Sequence, residues 1–559
     1  MAGIQKKKST ISNLEYPKVN KLVYSICLTF FIALSAFAQQ REISEVWVSD
    51  QGDGTYINPI LHADYSDPDV VRVGEDFYMT ASSFNAVPGL PILHSKDLVN
   101  WTLVNYALER QVPFDNFAKP QHGNGVWAPA IRYHEGEYYI YWGDPDFGIY
   151  MVKTKDPLGK WDEPVLVESG KGLIDPCPLW DEDGKAYLSH AFAGSRAGIK
   201  SVLVVKPMNW EGTKTTGAGK LVFDGHEAHP TVEGTKFYKR NGYYYIFAPA
   251  GGVSTGWQLI LRSKNPYGPY EEHISLAQGN TPINGPHQGA WIDTDMGEDW
   301  FVHFQDVEAY GRITHLQPMN WKNDWPTMGE DPDGDGTGQP VLKHKKPAVK
   351  ATQEITTPAD SDEFDGNDIG LQWQWQANPE ATWAFANPAE SKLRLFTVQL
   401  PEYAKNLWDA PNLLLQKFPA EEFTTTISLE FLPNPKLTNE QVGLIVMGMS
   451  YAYLALESTE DGIALVYVSC LDAEHGKAEV KKEIAKLEIN SIQLQVTVIK
   501  GGICQFSYSE DGKKFTQIEE TFTAVPGKWI GAKVGLFAIR NTKTNDSGFA
   551  DVDWFRFNK

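Results

Sequence analysis

The sequence predicts an all-β chain, a five-bladed β-propeller followed by a β-sandwich. Three observations carry this. A loose repeat with a spacing of about 50 residues fills the first half. Short alternating apolar runs fill the second half. The composition is rich in turn formers and aromatics, with 48 Gly, 34 Pro, 18 Trp, 24 Tyr and 27 Phe in 559 residues, and no long amphipathic helical pattern interrupts it.

The repeat has five units: DPDVVRVGEDFYMTAS (67–82), APAIRYHEGEYYIYWG (128–143), DPCPLWDEDGKAYLSH (175–190), EGTKFYKRNGYYYIFA (233–248) and HQGAWIDTDMGEDWFVHF (287–304). Each enters an apolar strand, turns at VGED, HEGE, DEDG, RNGY or an equivalent, and returns as an aromatic strand; such turns supply the positive-φ positions of tight hairpins. Four units carry a late Trp beside a polar turn, Trp101, Trp161, Trp210 and Trp321, with Tyr270 in that place in unit four. Several strands per repeat make each unit a propeller blade.

Residues 324–366 are rich in Pro, Gly and charge and read as propeller closure and linker. Within them DPDGDG (331–336) looks like the start of a calcium loop, but the twelfth position is Leu342 where a bidentate Glu is needed, so it reads as an acidic turn. Beyond it, TTTISLEFL (424–432), QVGLIVMG (441–448), YAYLALES (451–458), IALVYVS (463–469), IQLQVTVIK (492–500), KVGLFAIR (533–540) and ADVDWFRF (550–557) alternate as sandwich strands do. The predicted division is a signal peptide over 1–38, the propeller over 39–340, a linker over 341–359 and the sandwich over 360–559. The leader rests on basic residues up to Lys21, the apolar run 22–38 and a small-x-small end at Ala36-Phe37-Ala38. It predicts a secreted or periplasmic protein. No later run is long enough to span a bilayer.

A net charge of −21 excludes nucleic acid and anionic membrane surfaces as partners, since both demand a basic footprint. It suits a neutral substrate, and the aromatic content suits sugar faces. Behind the leader only Cys177, Cys470 and Cys504 remain. Cys470 and Cys504 could pair, but three thiols make no disulfide framework, and no metal-type Cys/His spacing occurs.

In a propeller the first strand of each blade lines the axis. The opening residues Asp67, Ala128, Asp175, Glu233 and His287 are therefore expected to converge at one end of the channel. Two Asp and one Glu gathered there repel one another, a sign of a functional site. Of the acids in HADYSDPDVV, Asp67 takes the axis position, Asp69 lies deeper with a partner, and Asp64 is a turn residue. Three carboxylates around an axis match inverting glycoside hydrolysis: an acid for the leaving oxygen, a base for water, and a third charge that keeps the acid protonated.

These segments resemble glycoside hydrolase family 43, closely over roughly 57–330. NPILHADYSDPDVVRVGEDFYMTAS resembles its opening, with the base Asp before Pro, here Asp67. IDPCPLWDEDGKAYL resembles the segment of the modulating Asp, here Asp175. TVEGTKFYKRNGYYYIF resembles the acid segment, here Glu233. The resemblance implies Phe84 (SSFNAVPG) and Trp127 (GNGVWAPAIR) as walls of the sugar pocket. It implies Arg312 (GRITHLQPMNW) beside the base, where a permanent cation keeps Asp67 ionised. It implies His287 (GPHQGAW) as a ligand of a structural calcium completed by water, with no metal-activated nucleophile and no organic cofactor. DEFDG (362–366), LQWQW (371–375) and DVDWF (551–555) resemble the jelly-roll, concanavalin-like sandwich of two-domain members, with a loop that reaches the propeller and a calcium site at Glu363 and Asp551.

The expected activity is an exo-acting, inverting glycosidase on plant cell-wall oligosaccharides. It releases α-L-arabinofuranose from arabinoxylan or xyloglucan side chains, with β-D-xylosidase as the alternative. Retaining fructosidases need NDP, RDP and Glu-Cys motifs where this chain has SDP, IDP and EGT. A non-catalytic carbohydrate-binding propeller would lack one of the acids, and all three are present.

Overall fold

The computed structural model describes residues 43–559, together with Gly3. The leader predicted over 1–38 lies outside the described residues but for Gly3. Strands dominate; among the described residues the sole α-helix is the single turn Gly194–Ala197, and no helix is long and apolar enough to cross a membrane.

Five antiparallel sheets form the propeller. Blade one runs Asp69–Val73, Asp76–Thr80, Gly89–Ser95, Thr102–Leu108 from axis to rim. Blade two opens with Trp127–His134, blade three with Leu173–Trp180, blade four with Lys236–Arg240 and blade five with His287–Asp293. Blade five takes its outer strand, Leu61–Asp64, from the start of the propeller, pairing it antiparallel to Arg312–Lys322. This closes the ring by backbone hydrogen bonds between the two ends of the propeller. The repeated late Trp are packing residues: Trp101 is fully buried and Trp161 nearly so.

The axial register differs from the predicted one in two blades. A β-bulge interrupts blade two between Trp127 and Ala130, blade three between Ile174 and Cys177, and blade five between His287 and Ala290. One residue at each blade entry has left-handed φ: Asp67 (54°), Ala128 (34°), Asp175 (57°), Gly234 (66°) and Gln288 (40°). The equivalent positions are therefore Asp67, Ala128, Asp175, Gly234 and Gln288. Glu233 and His287 sit one residue earlier, level with Ser66, Trp127 and Ile174. Glycine accepts this conformation freely and Asp is among the residues that tolerate it; elsewhere it costs of order 1–3 kcal/mol, a strain typical of functional sites.

The C-terminal half is a sandwich of two antiparallel sheets, with the strands predicted from alternation all present. One sheet is built around Lys533–Arg540, Gln441–Met447, Tyr451–Thr459 and Gly462–Cys470; the other around Phe549–Asn558, Phe423–Leu432 and Ser491–Ile499. Leu429, Leu444, Leu494, Leu536 and Phe555 fill the space between them. Cys177, Cys470 and Cys504 are free and buried, so the expected option of a Cys470–Cys504 bridge is not used. Of the two residues expected at a sandwich calcium site, Glu363 accepts two hydrogen bonds from Arg556 and Asp551 two from Arg394.

Propeller and sandwich share a core. Val87, Ala309, Tyr310 and Ile313 pack with the sandwich interior, and Val87 exchanges backbone hydrogen bonds with Trp375. His122 stacks on Trp408 with ring centroids 3.5 Å apart. The stretch predicted as linker is held as well, since Lys343–Lys345 pairs with Thr55–Ile57.

Candidate active site

The left-handed residues at the blade entries bring Asp67, Asp175 and Glu233 to one end of blades one, three and four, and beside Asp175 a β-bulge re-aims the strand as well. Asp67 is buried. Its Oδ2 accepts from Ser66 Oγ (2.7 Å) and Ser82 Oγ (2.5 Å), and Ser82 Oγ in turn accepts from the Ala128 N–H (2.7 Å). Arg312 Nη1 lies 3.5 Å from both Asp67 oxygens and donates to Ser66 Oγ at 3.1 Å. Every neighbour donates, so the carboxylate is fixed in orientation as a pure acceptor. The structure thus places Arg312 where the sequence expected it.

Asp175 is 4% exposed. Its Oδ2 accepts the Gly234 N–H at 2.6 Å, and its backbone carbonyl accepts from Thr235 Oγ1 at 2.8 Å. The residue after Glu233 is thereby bolted to Asp175. Burial, then the neighbouring Glu233 charge, push the Asp175 carboxyl up to about 8, with Asp67 adding to the effect and the Gly234 N–H opposing it. The repulsion between the two acids is a direct consequence of their being joined through the Gly234 N–H. Glu233 is the more open partner, with 25% of its side chain exposed. That openness gives it access to a bound substrate, while Asp175 stays behind it.

His287 is fully buried with Nε2 3.4 Å from Glu233 Oε1 and Nδ1 without a partner among the described residues. The described groups that gather three ligand atoms are Asp331, Asp333, Asp335 and Asp472, Glu474, His475, both at the surface and neither including His287; the expected calcium, held by His287 and otherwise by water, would need no such group. The imidazole is placed to orient Glu233.

Phe84 and Trp127 stand edge to face, centroids 6.3 Å apart, and Trp127 meets Trp529 at 6.1 Å. Trp529 was not singled out in the sequence. It belongs to the sandwich, in the turn PGKWIG (526–531), and is 47% exposed. The Arg312 guanidinium lies 5.9 Å from its ring centroid, and Asp306, Arg312 and Trp529 line a cleft of about 220 Å³. Its signal was a large aromatic in a Pro-Gly turn, where no core can use it. Asp64 anchors this turn. Its Oδ1 accepts the Arg312 N–H and its Oδ2 the Gly531 N–H, both at 2.9 Å. The expected turn residue is a strut between the two domains. Asp69, as expected, is buried with partners: Arg132 Nη1 at 2.6 Å and the Ile131 N–H at 2.8 Å.

The residue pattern that defines "Glycosyl hydrolases family 43" matches residues 56–326, and that of the "Beta xylosidase C-terminal Concanavalin A-like domain" matches 361–558. A "Putative beta-xylosidase" of Xylanibacter ruminicola is 38% identical over 87% of this chain and 86% of its own length. The chain belongs to glycosyl hydrolases family 43. Two further relatives are similar over most of the chain. A "Beta-xylosidase" of Formosa agariphila is 33% identical over 91% of both chains. A "Non-reducing end alpha-L-arabinofuranosidase" of Bacteroides ovatus is 29% identical over 90% of this chain and 94% of its own. As a family 43 member the chain is a glycosidase with a propeller and a concanavalin-like sandwich.

Proposed function

We propose that this glycosidase removes single pentoses from the non-reducing ends of plant hemicellulose chains, with inversion, and that β-D-xylose is its first substrate. The observation that carries the mechanism is the divided carboxylate set: one acid held by donors and Arg312, and two others joined through the Gly234 N–H, the buried one pushed up by the charge of the open one. Asp67 takes a proton from water, whose oxygen attacks the anomeric carbon. The glycosidic C–O bond breaks and Glu233 passes its proton to the leaving oxygen. Asp175 supplies the charge that keeps that proton in place, and His287 orients Glu233. Phe84, Trp127 and Trp529 form the aromatic walls, and the sandwich turn bearing Trp529 blocks the chain from running on, which makes the action exo.

The sequence expectation ranks arabinofuranose above xylose. The relatives favour the reverse, since the two with the higher identities carry xylosidase names. α-L-Arabinofuranosidase, on arabinoxylan or xyloglucan side chains, is the second reading, supported by the Bacteroides ovatus relative. A secreted or periplasmic location, from the expected leader, fits such substrates.

Initial rates on nitrophenyl β-D-xylopyranoside and α-L-arabinofuranoside, then on xylobiose and arabinoxylan oligosaccharides, rank the two. Proton NMR of the first-formed sugar shows inversion; a product that keeps the substrate's anomeric configuration refutes the mechanism. Glu233→Gln turning over xylobiose as fast as the parent would refute the acid assignment.

A further inference from the structure

A second cleft, of about 690 Å³, opens where Ala118 and Lys119 of the propeller meet the edge of the sandwich. Two aromatic rings in it are left bare. Phe385, on the edge strand Ala384–Asn387, is 50% exposed, and Tyr403 is 41% exposed. Both are supported from one side. Phe385 stands edge to face on Phe396 with centroids 5.7 Å apart, and Lys119 Nζ lies 4.7 Å from the Tyr403 ring centroid. The propeller side of the cleft is fixed as well. The Phe117 carbonyl accepts the Asn378 N–H at 2.7 Å, and His122 is stacked on Trp408. A cleft held in this way is formed before any ligand arrives, which lowers the cost of binding.

Polar groups share the cleft with the rings. Thr382, Gln399 and Asn545 line it, and their side chains make no hydrogen bond to any described residue. Its charges balance, Lys119 and Arg540 against Glu380 and Asp546. Bare ring faces beside free hydroxyl and amide groups, with no net charge, fit a neutral sugar: its C–H faces stack and its hydroxyls both donate and accept. The volume falls in the range of ligand pockets. The cleft is also tied to the active site by a short stretch of chain. Lys119 is four residues before Gly123, whose carbonyl accepts the Trp127 indole N–H at 2.9 Å. Four residues span at most about 14 Å, so Lys119 lies within that distance of the residue that holds the pocket wall.

We propose that this cleft is a second carbohydrate site, which binds a segment of xylan main chain away from the bond being broken. The proposal rests on xylan-type chains being the substrate. A long chain held at the cleft presents its end to the pocket at a raised effective concentration. Short substrates that fill only the pocket gain nothing from it.

The test is the double variant Phe385→Ala with Tyr403→Ala. On xylobiose its kcat and KM are expected to equal those of the parent. On soluble arabinoxylan its KM is expected to rise about tenfold at unchanged kcat, from the loss of two ring contacts. Native gels containing arabinoxylan are expected to retard the parent and not the variant. An unchanged KM on arabinoxylan, or a variant retarded like the parent, overturns the proposal. An equal loss on xylobiose also overturns it, because it marks the rings as structural. Retardation of the parent by xyloglucan alone overturns the assignment to xylan. If the double variant does not fold, Gln399→Ala with Asn545→Ala strips the polar side of the cleft and carries the same expectations. The two readings fail separately. A parent that cleaves neither xylobiose nor arabinoxylan refutes the proposed function; a parent that cleaves both, with a variant that matches it on arabinoxylan, refutes only the cleft.

Discussion

Replacing Asp175 by Asn should move the alkaline limb of the reaction and leave the acid limb where it is. Burial and then the Glu233 charge push the Asp175 carboxyl up to about 8, and the same repulsion acts on the Glu233 proton. A like charge within a few ångströms shifts a carboxyl by about one to three units, roughly 1.4–4 kcal/mol of differential stabilisation. We expect a drop of about one to two units. The loss of kcat/KM is then about tenfold or more at pH 8 and small at pH 5. The substrate must be xylobiose or a methyl xyloside, whose poor leaving groups need protonation; nitrophenolate departs without it. An alkaline limb that stays within about 0.3 unit of the parent while kcat falls uniformly would show that Asp175 only shapes the site, and the charge argument would be wrong.

Other outcomes follow from the same geometry. Trp529→Ala should raise KM for xylobiose by about tenfold, roughly 1–2 kcal/mol of lost ring contact, with little change in Tm, since the ring is half exposed; an unchanged KM would remove Trp529 from the pocket. Asp64→Ala should unseat the turn carrying Trp529, so in a double-mutant cycle on kcat/KM the two changes should be strongly non-additive. Lys533, buried at the domain seam opposite Lys417 on the neighbouring strand, has its ammonium pushed down to about 7 by burial and then by Lys417. The unfolded chain therefore binds more protons than the native one between about pH 7 and 10.5, and this group's destabilising contribution is complete below pH 7 and fades as pH rises through that window. Lys533→Met should raise Tm at pH 7, with a ceiling of about 5 kcal/mol, and the gain should shrink by pH 10; an equal gain at both values would refute the charge as its cause.

Much of this arrangement was legible because propellers repeat. Turn chemistry and aromatic strands marked five blades, and SDP, IDP and EGT placed a carboxylate at three entries. Sequence alignment of those entries nevertheless misplaced blades four and five by one residue. In blades one and three the left-handed position is itself an Asp, so the acid and the kink coincide. In blade four the kink is Gly234 and the acid precedes it, which only the backbone geometry reveals. Asp64 and Trp529 escaped for another reason. Asp64 holds the turn of Trp529 through the Gly531 N–H, 467 positions away in sequence, and nothing local to either segment records a contact between domains. Asp64 looked like a turn acid because its partners, two backbone N–H groups, have no side-chain signature.

The borrowed outer strand of blade five has a consequence for how the protein is made. Leu61–Asp64 is synthesised early, yet the strand it completes comes far later; Asp64 and Arg312 are 248 residues apart. At about 5–20 residues per second, the ribosome needs roughly ten seconds to a minute to supply the partner. Until then the ring stays open, with apolar blade faces and strand edges exposed to other chains. Ring closure is thus a late event that joins the two ends of the catalytic domain at once, and it assembles Arg312 beside Asp67 in the same step. Truncated or stalled chains that end before blade five should have neither a closed ring nor Arg312 beside Asp67, so activity itself should report that the domain has been completed.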